Sequence, residues 1–304
     1  KRTTHSITWQ WDKTTNVNFY KVYNATTGVV LATPSEERFF DVGLSTNSRR
    51  SIMVSAVTSA GEGPLSASAT FFTLSAQPGL LLPSVPEASL STGGFVVIWG
   101  ANENPPGTTY LLSVSSGSGA LVFSTTTSNL NPGVSIFSLG VSSLVAAEVY
   151  KLGVQSRNGD NVLSEPLPMG TTSTLARRPE QLTVLGTTPS SISVSWDANN
   201  NTSSATYQVT ISSLVGNVEA NVSTPLAFAA RSNQTALVIS GLETSKTYRI
   251  HVYAQNLSGR ITKDISVDTT TFNGGVATGS LGGPVLTAQD TELIGTLGNG
   301  RLVN

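Results

Sequence analysis

Cysteine is absent from all 304 residues, which excludes a disulfide frame, a zinc knuckle and thiol chemistry. Histidine occurs twice, as His5 and His251, and neither has an acidic or nucleophilic partner at motif spacing. Charged side chains make up 12% of the chain, about half the usual share, and the net charge is −1. That balance excludes a nucleic-acid binder working through a basic patch. No window approaches the run of about 18 apolar residues that a membrane-spanning helix needs. Helical periodicity is missing throughout, as are G-x-S-x-G, P-loop and H-E-x-x-H motifs. These absences predict a chain that is not an enzyme and has no cofactor and no metal. Residue 1 is Lys, and no charged-then-apolar leader precedes it, which reads as a processed product.

Ser, Thr, Gly and Asn take the place of the missing charge, so the surface is polar but weakly charged. Against this background tryptophan recurs in one setting. Ile7-x-Trp9-x-Trp11, Phe95-x-Val97-x-Trp99 and Ile192-x-Val194-x-Trp196 are period-2 apolar stripes ending in Trp. They lie about 90–100 residues apart, the length of one β-sandwich domain. After each comes a strand opened by Tyr, at Tyr20, Tyr110 and Tyr207. Later, Leu242 precedes Tyr248 and Leu144 precedes Tyr150, each Tyr opening a long alternating strand. At the same place in the first copy, Leu44 precedes Arg50. Turn signals close each strand: Ser59-Ala60-Gly61, Arg157-Asn158-Gly159 and Leu257-Ser258-Gly259.

The strand Trp, the Tyr strand after it and the Leu-x5-Tyr pattern resemble fibronectin type III domains. The resemblance covers roughly residues 5–272 and implies an all-β fold of three tandem sandwiches. It also implies a tyrosine corner at Leu144/Tyr150 and Leu242/Tyr248, where the phenol hydroxyl ties to nearby backbone. Trp99, Tyr150, Trp196, Leu242 and Tyr248 are the expected structural core, and Trp11, Trp99 and Trp196 are expected to be buried. Arg50 departs from the pattern, so the tether is expected to be lost in the first copy. The pairs Glu36-Glu37 beside Arg38, and Arg49-Arg50, read as solvated loop charges. Asn158-Gly159-Asp160 reads as a turn and nothing more. The family implies spacer, adhesion or assembly roles and no catalysis.

The expected boundaries are 1–76 for a sandwich lacking its first strand, 77–176 and 177–272 for two further sandwiches, and 273–304 for a tail. Gln181–Gly186 reads as the first strand of the third sandwich, and residues within Gly79–Leu90 as that of the second. Ahead of the first Trp strand stand only Lys1–Thr4, too short and polar for a sandwich strand. At the other end, a glycine-rich linker leads into Pro284–Ala288 and Thr291–Leu297, extended strand-like segments with no sandwich to join.

Strand donation links the two ends. Val285, Leu286, Leu293, Ile294 and Leu297 are the candidate donor residues, and Ile7, Trp9 and Trp11 line the candidate acceptor groove. A missing strand forfeits about 4–6 kcal/mol of burial at roughly 25 cal/mol per Å2. Three sandwiches in a row span about 100 Å, so a tail reaching about 105 Å when extended closes its own first domain poorly. The expected partner is therefore a second copy, added head-to-tail into a filament. The expected location is extracellular, at the cell surface, with cell-surface or glycan ligands as further partners. Alternatives are a binding or spacer array from a larger adhesin or polysaccharide-active enzyme, and a viral or phage fibre. Sequons at Asn24, Asn200, Asn201, Asn221, Asn233 and Asn256 are candidate glycosylation sites.

Overall fold

The computed structural model describes residues 1–128, 130–216, 218–220 and 234–273. Apart from a 3-10 turn at Glu87–Ser89, the regular elements among them are β-strands, arranged in three sandwiches. The first contains β1 (Ser6–Gln10), β2 (Phe19–Asn24), β3 (Val30–Ala32), β4 (Arg38–Val42), β5 (Arg49–Thr58), β6 (Gly61–Glu62) and β7 (Ala69–Phe72). The second contains β8 (Phe95–Gly100), β9 (Thr109–Ser116), β10 (Leu121–Ser128), β11 (Ile136–Val141), β12 (Val149–Arg157) and β13 (Leu167–Ser173). The third contains β14 (Glu180–Thr187), β15 (Ser191–Asp197), β16 (Thr206–Val215), β17 (Val218–Ala220), β18 (Ala236–Ser240), β19 (Thr247–Gln255) and β20 (Ile265–Thr270). Residues to Thr174, apart from 146–148, form one compact unit holding the first two sandwiches; the third belongs to another.

Each sandwich sets a small sheet against a larger one, all pairings antiparallel. The small sheets are β1-β4, β8-β11 and β14-β15-β18. In the larger sheets β2, β9 and β16 pair with β5, β12 and β19. Period-2 alternation puts Tyr248, Ile250, Val252 and Ala254 of β19 inside. Trp99, Tyr150, Trp196 and Leu242 are likewise buried, whereas Trp11 is only half-buried. The corner hydroxyls of Tyr150 and Tyr248 accept from the amides of Val145 and Glu243, both at 2.9 Å.

In the third sandwich β14 pairs with β15 as the first strand. The second sandwich differs from expectation, because Gly79–Leu90 forms no strand. Gly79 makes an isolated bridge to Gly100, Ser84 accepts from the Ile98 amide, and the chain then enters the 3-10 turn. Pro83 and Pro86 remove two amide donors there, so a continuous ladder cannot form.

Arg50 was expected among solvated loop charges. Instead its Nε and Nη2 donate to Asp41 Oδ2 and Oδ1 at 2.8 and 3.3 Å, and Asp41 is 4% exposed. The register explains the pair. Asp41 faces Ile7 across β1 and β4 where Val141 faces Phe95 and Ile239 faces Ile192. An apolar residue and a tyrosine in the second sandwich thus become an acid and an arginine in the first. A buried ion bonded in two places replaces the hydroxyl tether.

The first and second sandwiches meet through a polar joint. Ser156 Oγ donates to the Ala76 carbonyl at 2.6 Å, while Asn104 both accepts from the Ala76 amide and donates to its carbonyl. The Asn158–Asp160 turn reaches back to the first sandwich. Asn158 Nδ2 donates to Thr73 O at 3.0 Å, the Gly159 amide to Asn47 Oδ1 at 2.8 Å, and the Phe72 amide to Asp160 Oδ2 at 2.8 Å. A Cβ on Gly159 would come within 2.6 Å of the Phe72 ring, so any side chain there would have to push the ring aside.

Breaking the Asp41–Arg50 pair should be costly. Arg50→Ala strands a buried carboxylate and should cost the first sandwich about 3–5 kcal/mol in denaturant unfolding. The double variant Asp41→Val/Arg50→Tyr should recover most of that. A double variant as unstable as the single one would show that the two positions are not exchangeable as a set.

Candidate functional site

The first sandwich buries a small core. Ile7, Trp9, Val22 and Ile52 form its buried cluster, whereas the cluster of the second sandwich has fifteen members. The strand-A regions explain part of the difference. In the third sandwich Leu182 and Val184 of β14 pack on the core, and in the second Val85 and Leu90 do so. In the first, the corresponding seam between the sheets is a cavity of about 480 Å3. Trp9, Trp11, Tyr20, Ile52, Val54 and Leu65 line it.

Local sequence keeps this seam open. Opposite β1, residues 63–68 lie between β6 and β7 outside any strand. The Gly63 and Ser66 amides donate to Ala56 and Val54 carbonyls, and Leu65 is left 48% exposed. Trp11 stands edge-on to Tyr20 at 5.4 Å between ring centres, and Trp9 tilts against Phe71 at 5.6 Å. The buried indole N–H groups of Trp9 and Trp11 lack hydrogen-bond partners, but so do those of Trp99 and Trp196 in the other two sandwiches. These donors therefore carry no information about a ligand; the shape and apolar lining do.

The free edge of β1 is only partly free. Lys1–Thr4, expected to be too short and polar for a sandwich strand, fold back on it. Arg2 bridges Ile7, the Thr8 amide donates to Lys1 O at 2.7 Å, and the Thr3 amide donates to Ser6 O at 2.9 Å. Because alternate residues of a strand face the same edge, Gln10 is the next position open to pairing. The candidate acceptor residues therefore divide. Ile7 lies behind the Lys1–Arg2 stub, while Trp9 and Trp11 face the seam. The candidate donor residues Val285, Leu286, Leu293, Ile294 and Leu297 lie outside the described residues.

Glu62 sits beside the segment that lines the seam. Lys21 Nζ at 2.7 Å, Ser55 Oγ at 2.6 Å and the Tyr23 hydroxyl all donate to its carboxylate. The Lys21 bond first, then those of Ser55 and Tyr23, hold its pKa down to about 2. In the third sandwich another charged ladder crosses the sheet. Arg249 contacts Asp268 at 2.7 Å and Glu219 at 3.0 Å. His251 Nδ1 lies 2.6 Å from Asp264 and its Nε2 3.5 Å from Glu219. The His251 side chain is 17% exposed, between the two carboxylates. Arg249 and Asp268 face each other across the neighbouring strands β19 and β20 as a cross-strand pair of opposite charge, and Glu219 reaches Arg249 from β17 across β16. Among the described residues no group of three His, Cys, Asp or Glu side chains could hold a metal ion.

The sequons fare unevenly. Asn200 is exposed. Asn24 accepts from the Thr26 and Thr27 amides, and Asn201 bonds the Arg177 backbone at both amide atoms. Asn256 is 2% exposed and accepts from the Arg260 amide, so the folded domain has no room for a glycan there. Asn221 and Asn233 lie outside the described residues.

Residues 177–268 match the model of the fibronectin type III domain family. The match covers the third sandwich, and the first two share its arrangement of a small sheet set against a larger one. Among solved structures, a two fibronectin type III domain segment of chicken tenascin is 18% identical, with a TM-score of 0.43. It covers 64% of this chain and 100% of its own. The FN1–FN3 domains of chicken CNTN1 are 15% identical with a TM-score of 0.29, covering 90% of this chain and 96% of their own. No curated protein matches the sequence.

The Glu62 cluster has a consequence for acid stability. A carboxylate with a lowered folded-state pKa stabilises fully above its ordinary value of 4.5, and that stability is lost as pH falls towards about 2. The melting temperature of the first sandwich should fall over that window, and Glu62→Gln should flatten the fall. An unchanged slope in Glu62→Gln would mean that other groups carry the acid response.

Proposed function

We propose that this protein is a non-catalytic extracellular structural protein that assembles head-to-tail by β-strand addition. The seam of the first sandwich takes a strand from residues 284–304 of a second copy, and the repeated contact builds a filament. One observation carries the reading: a sandwich with a small buried cluster and an apolar cavity of about 480 Å3 beside an unpaired stretch of β1. The tail supplies what such a cavity lacks. Period 2 places Leu293 and Leu297 on one side of an extended segment, and Pro284–Ala288 offers Val285 and Leu286. The weakly charged surface lets neighbouring copies approach without strong repulsion. The polar joint between the first two sandwiches suits a load-bearing rod. The chain has no helix, among the described residues, long and apolar enough to cross a membrane.

A second reading has its own support. Lys1 and Arg2 pair with Thr8 and Ile7 in a direction that, continued backwards, leads into the open seam. A segment ahead of Lys1 would then close the sandwich in cis, and the protein would be a spacer or binding array.

Deletion of residues 284–304 separates the two. If strand addition holds, the full chain forms filaments in electron micrographs. The deleted chain stays monomeric, with a lower melting temperature for the first sandwich. A peptide covering Pro284–Asn304 restores that temperature. Filaments that form equally well without the tail, or a full chain that stays monomeric, would overturn the proposal and favour closure in cis.

A further inference from the structure

We infer that Asp160, on the second sandwich, sets the length of strand that the first sandwich takes. The inference rests on the strand-addition reading and concerns how that site is bounded. Arg2 is the residue through which Asp160 acts. Its guanidinium is bonded to Asp160 Oδ2, donates to Phe72 O at 3.2 Å, and lies 5.1 Å over the Phe71 ring. Phe71 in turn packs on Trp9, whose indole lines the seam. Asp160 Oδ2 also accepts from the Phe72 amide, so one oxygen ties Arg2 and β7 to the second sandwich. The pair is partly buried, with side chains 24% and 27% exposed, and competing water is therefore partly excluded.

The latch divides the edge of β1. Behind it, Lys1 and Arg2 cover Ile7 and Thr8, and the Leu74 amide holds Thr3 O at 2.9 Å. Beyond it the edge of β1 is open at Gln10, where the strand ends, and the cavity runs on past Trp11 to Asp12 and Thr14. That stretch accommodates about five residues of an extended chain. A full-length strand would have to displace Arg2 and leave Asp160 without its cation. The occupant is therefore short. Of the two tail segments, Thr291–Leu297 contains such a stretch in the five residues Leu293–Leu297. Leu293 and Leu297 share a face, Gly295 between them adds no bulk against the Trp9–Trp11 wall, and Gly298 lets the chain turn away. Pro284–Ala288 begins with a residue that cannot donate to a ladder.

Two measurements test this. In the chain lacking residues 284–304, with no donor present, hydrogen exchange is followed at the Thr8 amide. Arg2→Ala and Asp160→Asn should each speed it at least about tenfold, while amides of the third sandwich stay unchanged. Arg2→Ala keeps the Asp160 bond to Phe72, so it separates the latch from damage to the joint. Unchanged exchange at Thr8 in both variants would overturn the inference, whether or not strands add. Peptides Thr291–Leu297 and Pro284–Asn304 are then titrated into the same proteins. Against the unaltered sandwich the two should bind within a factor of about three of each other. Against Arg2→Ala the long peptide should gain at least about tenfold and protect Thr8. A long peptide that already binds the unaltered sandwich tenfold better, or gains nothing from Arg2→Ala, would refute the length limit. Absence of binding by either peptide would sink strand addition itself and with it the length limit, whatever the exchange data show about the Arg2–Asp160 contact.

Discussion

Two packed sheets hide their inner faces only if something covers each seam between them, and most of this chain's organisation answers to that constraint. The third sandwich meets it with a regular first strand, β14. The second meets it with an irregular stretch that still delivers Val85 and Leu90 to the core. The first meets it over half the edge of β1, with two residues of backbone pairing and a guanidinium laid over Phe71. Its departures follow from that shortfall. Trp11 stays half-buried, Leu65 stays half-exposed at the cavity rim, and Trp9 takes the place where the other sandwiches carry only valine.

The polar joint between the first two sandwiches obeys a different economy. Its members are buried and multiply bonded: Asn104 makes bonds at both amide atoms, and Asn158 holds Thr73 as well as its own turn. Such groups cost desolvation and return little net stability, but each bond fixes a direction. Replacing them with apolar side chains would hold the sandwiches together without fixing their angle. Gly159 against Phe72 adds a steric limit to the same end. A joint built this way favours orientation over strength.

Periodicity is what made the sandwiches legible in the sequence. Alternation on strands such as Tyr248–Ala254 needs no knowledge of partners, and neither does a Leu six residues before a Tyr. Features that depend on register or on distant partners were not legible. Asp41 and Arg50 each look like surface charges until β4 is set against β1. Two anomalies at core positions of one domain are the available signal, an acid at Asp41 and an arginine in place of the corner tyrosine. Asn158-Gly159-Asp160 showed as a turn, but its partners Asn47, Phe72 and Thr73 lie far back in the chain. The half-closed seam was partly visible. Lys1–Thr4 read as too short and polar for a strand, whereas the pairing those residues do make could not be read, because it depends on an arginine reaching a different domain.

Magnitudes decide how tightly a short strand could hold. Two aliphatic side chains moved from water into the cavity contribute about 3–6 kcal/mol. Four ladder hydrogen bonds add about 2–6 kcal/mol net. Ordering five residues of backbone costs about 5–10 kcal/mol. The terms nearly cancel, so a strand limited to the open half of the edge binds weakly by itself. A longer strand would gain bonds and burial with each residue, and the proposed role of the Arg2–Asp160 contact is to oppose it. On this reading the second sandwich keeps the acceptor of the first in a range where association responds to concentration, rather than being driven to completion.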